Sequence, residues 1–317
     1  MKKLLYLSAG SSKWGTGHLL RSIELIDILR KKGLHIYTIA LVPDVIEMQK
    51  LSVFINGYDR RVQSLHEIGV VNADGIVVDV HTSFQTELFL WLKEQRHMVV
   101  ALDWYHDIGN IIVARANLRG GAEALKYAII RREFQDALRN RSELNPGYDA
   151  VAVIGGGDNC RHLDRIFSIF TEDRHFLDKK IALILGPMVD GKLSKFAGNS
   201  VRAVTVLRNP DNIAWIMSNT SVGITNGGTS LMEFTMLGVP TIVFPQSEEE
   251  ENFVKPFIEN RCSVLGSLET EGFTAQIIEL WKDEKLRKTL SENGRKLIDE
   301  HGAERIAEII FNTFSIH

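Results

Sequence analysis

The strongest constraint on the fold is a repeated alternation between short apolar runs and amphipathic stretches. Leu4–Ala9 and His35–Leu41 have the length of strands, and His18–Lys32 between them carries apolar residues at helical spacing, with Gly33 as its stop. The further predicted strands are Gly75–Val80, Met98–Leu102, Asp149–Ile154, Ile181–Leu185, Val201–Leu207, Val222–Thr225 and Thr241–Phe244. Buried strands that alternate with helices are typical of parallel, doubly wound sheets.

The alternation pauses once, which predicts two domains. Gly121–Arg141 has a charged, mostly helical pattern, and Asn145-Pro-Gly-Tyr148 after it is typical of a turn or linker. We predict two Rossmann-like doubly wound α/β domains, over 1–145 and 146–317, with a cleft between them. The tail from Thr274 to Phe314 predicts two or three helices, and the last of them is a candidate to pack back on the N-terminal domain.

Composition excludes several classes of protein. A formal net charge of −3 lacks the basic surplus of a duplex binder, so we expect no nucleic-acid partner. Two cysteines, Cys160 and Cys262, form no disulfide framework and fit a reducing compartment. The apolar run after Lys3 is too short for a signal peptide, and no stretch is long enough to span a membrane. We therefore expect a cytoplasmic protein without stable membrane insertion, and the oligomeric state stays open.

The first glycine-rich loop, Ser8-Ala-Gly-Ser-Ser-Lys-Trp-Gly-Thr-Gly-His18, follows the first strand. Its glycines allow the backbone to approach a ligand, and His18 lies at the start of a helix, where the dipole favours a neutral ring that accepts a proton. The same spacing also fits a tight turn with a capping or packing histidine. The order Gly15-x-Gly17-His18 lacks the third glycine of the dinucleotide fingerprint, which argues against a nicotinamide cofactor. We expect no cofactor.

Three later loops occupy equivalent places after strands. Gly155-Gly-Gly-Asp158 fits either a capped turn or a wall of the cleft. In Asn226-Gly-Gly-Thr-Ser-Leu-Met-Glu233, amides and hydroxyls have the chemistry to hold a diphosphate, with Glu233 one helical turn later at a ribose; an ordinary capped helix fits equally well. The glutamates of 248–251 are typical of a solvated first helical turn.

Acidic residues end two of the buried strands. Asp79 is followed by His81, and Asp103 by Trp104, Tyr105, His106 and Asp107. Aspartate with histidine suggests a metal site, but capping is common at strand ends, and the zinc-binding spacing of two histidines on one helix is missing. We therefore predict no metal.

Taken together, the ordered motifs resemble those of the PseG-type UDP-sugar hydrolases, relatives of MurG-like glycosyltransferases with the GT-B fold. The resemblance covers roughly Leu4 to Leu265. It rests on Gly15-Thr-Gly-His18-Leu-Leu-Arg21, Asp79, Asp103, Tyr127-Ala-Ile-Ile-Arg-Arg-Glu-Phe134, Gly155-Gly-Gly-Asp158, Asn212-Ile-Ala-Trp-Ile-Met217, Gly227-Gly-Thr-Ser-Leu-Met-Glu233 and Asn252.

The resemblance implies a role for each matching position. His18 would be the general base, and Glu233 would hold the ribose. The diphosphate would lie at Gly227, Gly228, Thr229 and Ser230. The expected substrate-binding residues are Gly15, Gly17, Arg21, Asp79, His81, Asp103, Gly156, Asp158 and Asn252. The chain departs from the family at Phe253, where glutamine is usual, and at His81-Thr82, where an aromatic residue is usual, so the sugar is in doubt.

The function that this resemblance implies is hydrolysis of a UDP-linked amino or deoxy sugar in surface-glycan, pseudaminic acid-like biosynthesis. Water would attack the sugar C1 with inversion and release UDP, and helix dipoles would carry the charge of the leaving group without a metal. One alternative is a GT-B glycosyltransferase with a UDP-sugar donor, for which Trp104–Arg119 is the candidate region for a lipid acceptor. The other alternative is a non-catalytic nucleotide-sugar binding protein.

Overall fold

The computed structural model describes residues 2–13, 15–81, 84–103, 111–113, 121–141, 147–154, 160–189, 191–266, 268 and 272–315. Gly156 and Asp158, and Trp104–Asn110 with Ala114–Arg119, lie outside these residues. The chain divides into two compact units. The first combines Met1–Arg131 with Glu300–His317, and the second comprises Arg132–Asp299.

The first unit contains a six-stranded parallel sheet in the order β3-β2-β1-β4-β5-β6. Its strands are β1 (Lys3–Ala9), β2 (His35–Leu41), β3 (Arg60–Val62), β4 (Gly75–Asp79), β5 (Met98–Leu102) and β6 (Ile111–Val113). The four longer strands agree with the predicted apolar runs. The apolar pattern does not predict β3 and β6, because three residues are too few to show the hydrophobic period of a strand. In addition, β3 begins with two exposed arginines.

The second unit contains a seven-stranded sheet in the order β13-β12-β11-β7-β8-β10-β9. Its strands are β7 (Tyr148–Val153), β8 (Ile181–Leu185), β9 (Ser200–Val201), β10 (Val204–Arg208), β11 (Thr220–Thr225), β12 (Thr241–Val243) and β13 (Ser263–Leu265). The prediction of one strand over Val201–Leu207 is wrong. Arg202 has a φ of +52°, which turns the chain, so that β9 pairs antiparallel with β10.

The helices connect the strands in both units. They are α1 (Gly17–Lys31), α2 (Val45–Lys50), α3 (Ser52–Ile55), α4 (Gln85–Gln95), α5 (Gly121–Ala124), α6 (Arg132–Arg139), α7 (Cys160–Glu172), α8 (Ile213–Ser218), α9 (Thr229–Leu237), α10 (Glu248–Glu259), α11 (Gly272–Lys282), α12 (Glu284–Leu297) and α13 (Gly302–Ser315). The helical pattern predicted over Gly121–Arg141 is interrupted between α5 and α6, where Ala128–Ile130 are buried in non-helical backbone. No helix in the described part of the chain is long and apolar enough to cross a membrane.

The two faces of the first sheet are covered differently. Leu5 and Leu7 of β1 belong to one core cluster with Leu88 and Leu92 of α4. Burial of each such leucine stabilises the fold by about 1.5–3 kcal/mol. Alternate residues of a strand point to opposite faces, so Tyr6 and Ser8 point to the other side of the sheet.

Helix α13 packs in the first unit although it ends the chain. A Cβ atom on Gly75 would overlap the ring of Phe314, and one on Gly302 would overlap the backbone of Ala128. These glycines let α13 approach the sheet and the segment before Arg131 at backbone distance. The helix is further attached by an ion pair between Lys32 and Glu308, at 2.5 Å.

Candidate active site

Both sheets have the strand order of a doubly wound fold, in which successive strands are first added on one side of the starting strand and then on the other. In the first sheet this switch lies between β1 and β4, and in the second between β7 and β11. Ligands of open α/β sheets bind outside the carboxyl ends of the strands at such a point. The loop with His18 follows β1, Asp79 ends β4, and the loop with Gly227 follows β11.

The loop after β1 sets the start of α1 and with it the position of His18. Gly15 has a φ of +72°, and its carbonyl accepts a hydrogen bond from the Ser11 amide at 3.1 Å, which closes the loop. Helix α1 therefore begins at Gly17, and His18 is its second residue. The His18 side chain is 14% exposed.

The structure identifies the residue that orients His18. Its Nδ1 lies 2.7 Å from Oδ1 of Asp79, whose side chain is fully buried. A carboxylate accepts hydrogen bonds and does not donate them when ionised, so it selects the tautomer with a proton on Nδ1. Nε2 of that tautomer carries a lone pair and is able to accept a proton, as a general base requires.

Arg21 lies one helical turn after His18, on the same face of α1. Its Nε donates to both carboxylate oxygens of Asp79, at 3.2 and 3.0 Å, and its Nη2 donates to Asp79 and, at 2.8 Å, to Oδ2 of Asp103. The Arg21 side chain is only 5% exposed. The guanidinium is therefore engaged by two carboxylates of the protein itself.

These contacts control the charge of the buried groups. Burial alone would raise the pKa of Asp79, but the charges of Arg21 and then His18 outweigh it and hold that pKa well below its ordinary value. Burial would likewise lower the pKa of Arg21, and the two aspartates raise it instead. Asp79 therefore stays ionised and Arg21 stays charged throughout the neutral range.

Asp103 and His81 complete the cluster. Asp103 follows β5 directly and has a φ of +51°, an uncommon backbone conformation for a residue other than glycine. Its carbonyl accepts a hydrogen bond from Nε2 of Gln85 at 2.8 Å. The rings of His81 and His18 are perpendicular, with centroids 6.1 Å apart. The structure thus brings together Gly15, Gly17, His18, Arg21, Asp79, His81 and Asp103, which the sequence predicts as site residues.

The second predicted part of the site, around Gly227, lies in the other unit at the start of α9. Gly228 is the N-cap, Thr229 and Ser230 are the first helical residues, and all three are half-buried. The first amides of a helix have no acceptor within the helix and suit an anion. Glu233, one turn later, is buried at 2% exposure.

The carboxylate of Glu250 is a feature of this loop that the sequence analysis did not single out. Its Oε1 accepts from Nδ2 of Asn226 at 2.5 Å, and its Oε2 accepts from the amides of Gln246 at 2.7 Å and Gly227 at 3.4 Å. Burial raises the pKa of Glu250. The interpretation of the glutamates as a uniformly solvated turn therefore does not hold for Glu250. Ser247 caps α10 and precedes Glu250 by three residues. This is the spacing of a capping box, and it is a sequence signal that points to Glu250.

Asn252 and Phe253 point in different directions. The Asn252 side chain is exposed, and its Oδ1 accepts a hydrogen bond from Lys255 at 2.7 Å. Phe253 is 7% exposed and packs against Phe257, with ring centroids 5.3 Å apart. The aromatic residue that replaces the family's usual glutamine is thus a core residue. Within the described residues, no group of three or more histidine, cysteine or acidic side chains is placed to hold a metal ion.

Comparison with known proteins agrees with this architecture. Residues 150–296 match the glycosyltransferase family 28 C-terminal domain. Among curated proteins, the spore coat polysaccharide biosynthesis protein SpsG of Bacillus subtilis is 23% identical over 213 residues, which cover 65% of this chain and 62% of that protein. The matched segments span less than two thirds of this relative and of an uncharacterised protein, MJ1062, of Methanocaldococcus jannaschii.

Solved structures match the whole chain at low identity. MurG of Acinetobacter baumannii superposes with a TM-score of 0.61 at 11% identity, covering 98% of this chain and 100% of that one. The UDP-GlcNAc 2-epimerase of Neisseria meningitidis, solved bound to UDP-GlcNAc, gives 0.65 at 13% identity, covering 98% and 100%. The fold is thus the two-domain GT-B fold of MurG-like proteins, as predicted. With the family 28 domain, it supports an enzyme of the glycosyltransferase superfamily.

Proposed function

We propose that this protein transfers a sugar from a UDP-sugar to an acceptor hydroxyl, with His18 as the general base. The observation that carries the proposal is the hydrogen bond between Nδ1 of His18 and buried Asp79, at 2.7 Å, which leaves Nε2 as the basic nitrogen. The choice of donor is supported by the family 28 match and by the relative solved with UDP-GlcNAc.

The chemistry requires one proton transfer and one displacement. Nε2 of His18 takes the proton of the acceptor O–H while that oxygen bonds to the sugar C1, and the bond between C1 and the diphosphate oxygen breaks with its electrons on UDP. Asp79 stabilises the imidazolium that forms. The amides at the start of α9, at Thr229 and Ser230, would stabilise the negative charge on the leaving diphosphate.

Hydrolysis is the second candidate, and it differs only in the nucleophile, since water would replace the acceptor hydroxyl. It is favoured by the motif set from Gly15 to Asn252, which resembles that of PseG-type hydrolases and would make the product an amino or deoxy sugar for a surface glycan. The matched domain favours transfer, since it is that of a glycosyltransferase family. The name of one relative, a spore coat polysaccharide biosynthesis protein, fits either reaction.

The test is UDP release from a panel of UDP-, GDP-, CMP- and dTDP-sugars, with and without sugar and lipid acceptors, by wild type and His18→Ala. We expect His18→Ala to bind UDP normally and to lose turnover by about 100-fold or more. Release that depends on an acceptor supports transfer, and release without one supports hydrolysis. His175→Ala is the matched control. Nδ1 of His175 also lies 2.7 Å from a carboxylate oxygen, that of Asp173, but the His175 side chain is exposed. Unchanged turnover in His18→Ala would exclude His18 as the general base. Binding of UDP by wild type without turnover of any sugar donor would leave a binding protein.

A further inference from the structure

We infer that Glu250 and Gln246 are parts of the nucleotide site, Glu250 as a positioning residue and Gln246 as a residue that determines specificity. This inference rests on the proposed function, because it assumes that a nucleoside diphosphate binds at the loop after β11. Neither residue belongs to the set that the sequence motifs suggested.

Glu250 connects two neighbouring loops at the carboxyl edge of the sheet. Asn226 and Gly227 follow β11, whereas Gln246 follows β12, and all three donate hydrogen bonds to the Glu250 carboxylate. Hydrogen bonds to a charged group are shorter and stronger than those between neutral groups. Removal of this carboxylate would therefore release the Asn226–Gly228 turn from the start of α10.

The packing around Gly227 shows how closely the two loops approach. A Cβ atom at Gly227 would lie 2.8 Å from the Cβ of Glu250 and 3.0 Å from its carbonyl oxygen, which is closer than real Cβ atoms pack. The Gly227 amide faces Glu250 and is not available to a phosphate. The anion-binding donors that remain are the amides of Thr229 and Ser230, whose direction depends on the turn that Glu250 holds.

Gln246 supplies an observation that points to a ligand. Its backbone amide donates to Glu250, but its side-chain Nε2 is buried and has no hydrogen-bond partner among the residues that the structure describes. A buried donor without a partner has an energetic cost, and proteins keep few of them. An oxygen of the nucleotide that accepts from Nε2 would recover this cost, and a ligand without an acceptor there would not.

The test measures UDP affinity by isothermal titration calorimetry and the Tm of unliganded protein, in wild type, Glu250→Gln and Gln246→Leu. We expect Glu250→Gln to bind UDP at least 10-fold more weakly, because the new amide keeps only one acceptor oxygen and loses the charge, so that the two loops are no longer held by one carboxylate. We expect Gln246→Leu to bind about 5- to 10-fold more weakly while its Tm stays equal or rises, because the substitution removes an unpaired polar group.

Matched controls separate these effects from general damage. Glu251→Gln removes the same charge from an exposed neighbour in the same helical turn, and we expect wild-type affinity. Ser263→Ala removes a buried hydroxyl that likewise has no hydrogen-bond partner in the described part of the chain, at the amino end of β13 opposite Thr241, and we expect no change in UDP affinity. In turnover assays, Glu250→Gln should raise KM and leave kcat within about 3-fold, because His18 lies in the other unit; a purely structural defect would lower kcat instead.

The outcomes are distinguishable. Weaker binding in both variants, with normal controls, supports the inference. Wild-type affinity in both Glu250→Gln and Gln246→Leu overturns the inference and leaves the proposed function intact. If wild type and every variant fail to bind UDP while another nucleoside diphosphate binds, the same comparison is made with that nucleotide; if none binds, the proposed function and the inference both fail.

Discussion

Replacing Asp79 with asparagine tests the central cluster most directly, because the side chain keeps its shape and loses its charge. The Asp79 carboxylate accepts from His18 and from two nitrogens of Arg21, and its side chain is fully buried. An asparagine Nδ2 would place donors against donors at one of its two positions. Breaking a buried ion pair on one side costs about 3–5 kcal/mol. Because the ion pair between Arg21 and Asp103 remains, we expect the free energy of unfolding to fall by an amount at the lower end of this range.

The same substitution should lower turnover more than it lowers nucleotide affinity. With asparagine the Nδ1–H tautomer of His18 is no longer selected, and the imidazolium loses its counter-charge. Loss of the equivalent aspartate in serine proteases lowers kcat by about 10⁴-fold, and we expect a loss of about 10²- to 10⁴-fold here. Turnover is measured per folded molecule, and ¹⁵N NMR of labelled histidine reports the tautomer of His18 without any substrate.

The pH dependence of stability gives a second, independent readout. The pKa of Asp79 is lowered in the folded state, so its contribution is complete above the ordinary carboxyl pKa, about 4, and is lost as the pH falls toward the folded-state value. Urea unfolding should therefore show a difference between wild type and Asp79→Asn at pH 7 that becomes smaller below about pH 4. Asp173→Asn, at a more exposed aspartate–histidine pair whose carboxyl pKa is also lowered, is the comparison, and we expect a smaller difference in stability there because solvent screens the pair. Equal stability and equal turnover of Asp79→Asn and wild type would refute the role of the cluster.

Two further predictions concern the rest of the first unit. Asp103→Asn should remove one of the two negative charges that pair with Arg21, lowering kcat by about 10-fold with little change in KM, as steady-state kinetics would measure. An unchanged kcat would mean that the charge of Asp103 does not act through Arg21. Gly302→Ala should destabilise the protein by about 1–3 kcal/mol, because its Cβ would overlap the backbone of Ala128. Gly57→Ala is the control, because a Cβ atom at Gly57 would have no atom within 4 Å. Both variants are compared by thermal unfolding, and equal Tm values would contradict the close packing of α13.

The sequence predicts those helices and strands that are long enough to show a hydrophobic period. Helix α1 begins within one residue of the predicted start, because its apolar spacing and Gly33 mark it clearly. The break between β9 and β10 escaped prediction, because Val201–Leu207 is apolar enough for one strand and only the positive φ of Arg202 divides it. A local conformation of this kind has no reliable signal in a single sequence.

The sequence predicts which residues belong to the candidate site, but it does not predict which of them form hydrogen bonds with one another. Sheet topology places Asp79 and the loop of His18 together, because β1 and β4 are neighbours whose carboxyl ends share an edge. The resemblance suggested Arg21 as a substrate ligand. The structure instead engages its guanidinium with two carboxylates, which depends on helix α1 being rotated so that Arg21 faces the strand ends. The capping-box spacing from Ser247 is the one sequence signal that sets Glu250 apart from its three identical neighbours, and it does not show that the carboxylate faces the loop.

The charges of the cluster explain why one arginine between two aspartates suits a base. With neutral His18, the ionised Asp79 and Asp103 and the charged Arg21 together carry one net negative charge. Proton uptake by His18 makes the four groups neutral as a whole. A buried group of charges is costly when unbalanced, so this arrangement favours the imidazolium at the moment the nucleophile loses its proton. The positive charge of Arg21 balances one of the two carboxylates, and the negative charge of the other is left to balance protonated His18. The balance of charge is the same whether His18 takes its proton from an acceptor hydroxyl or from water.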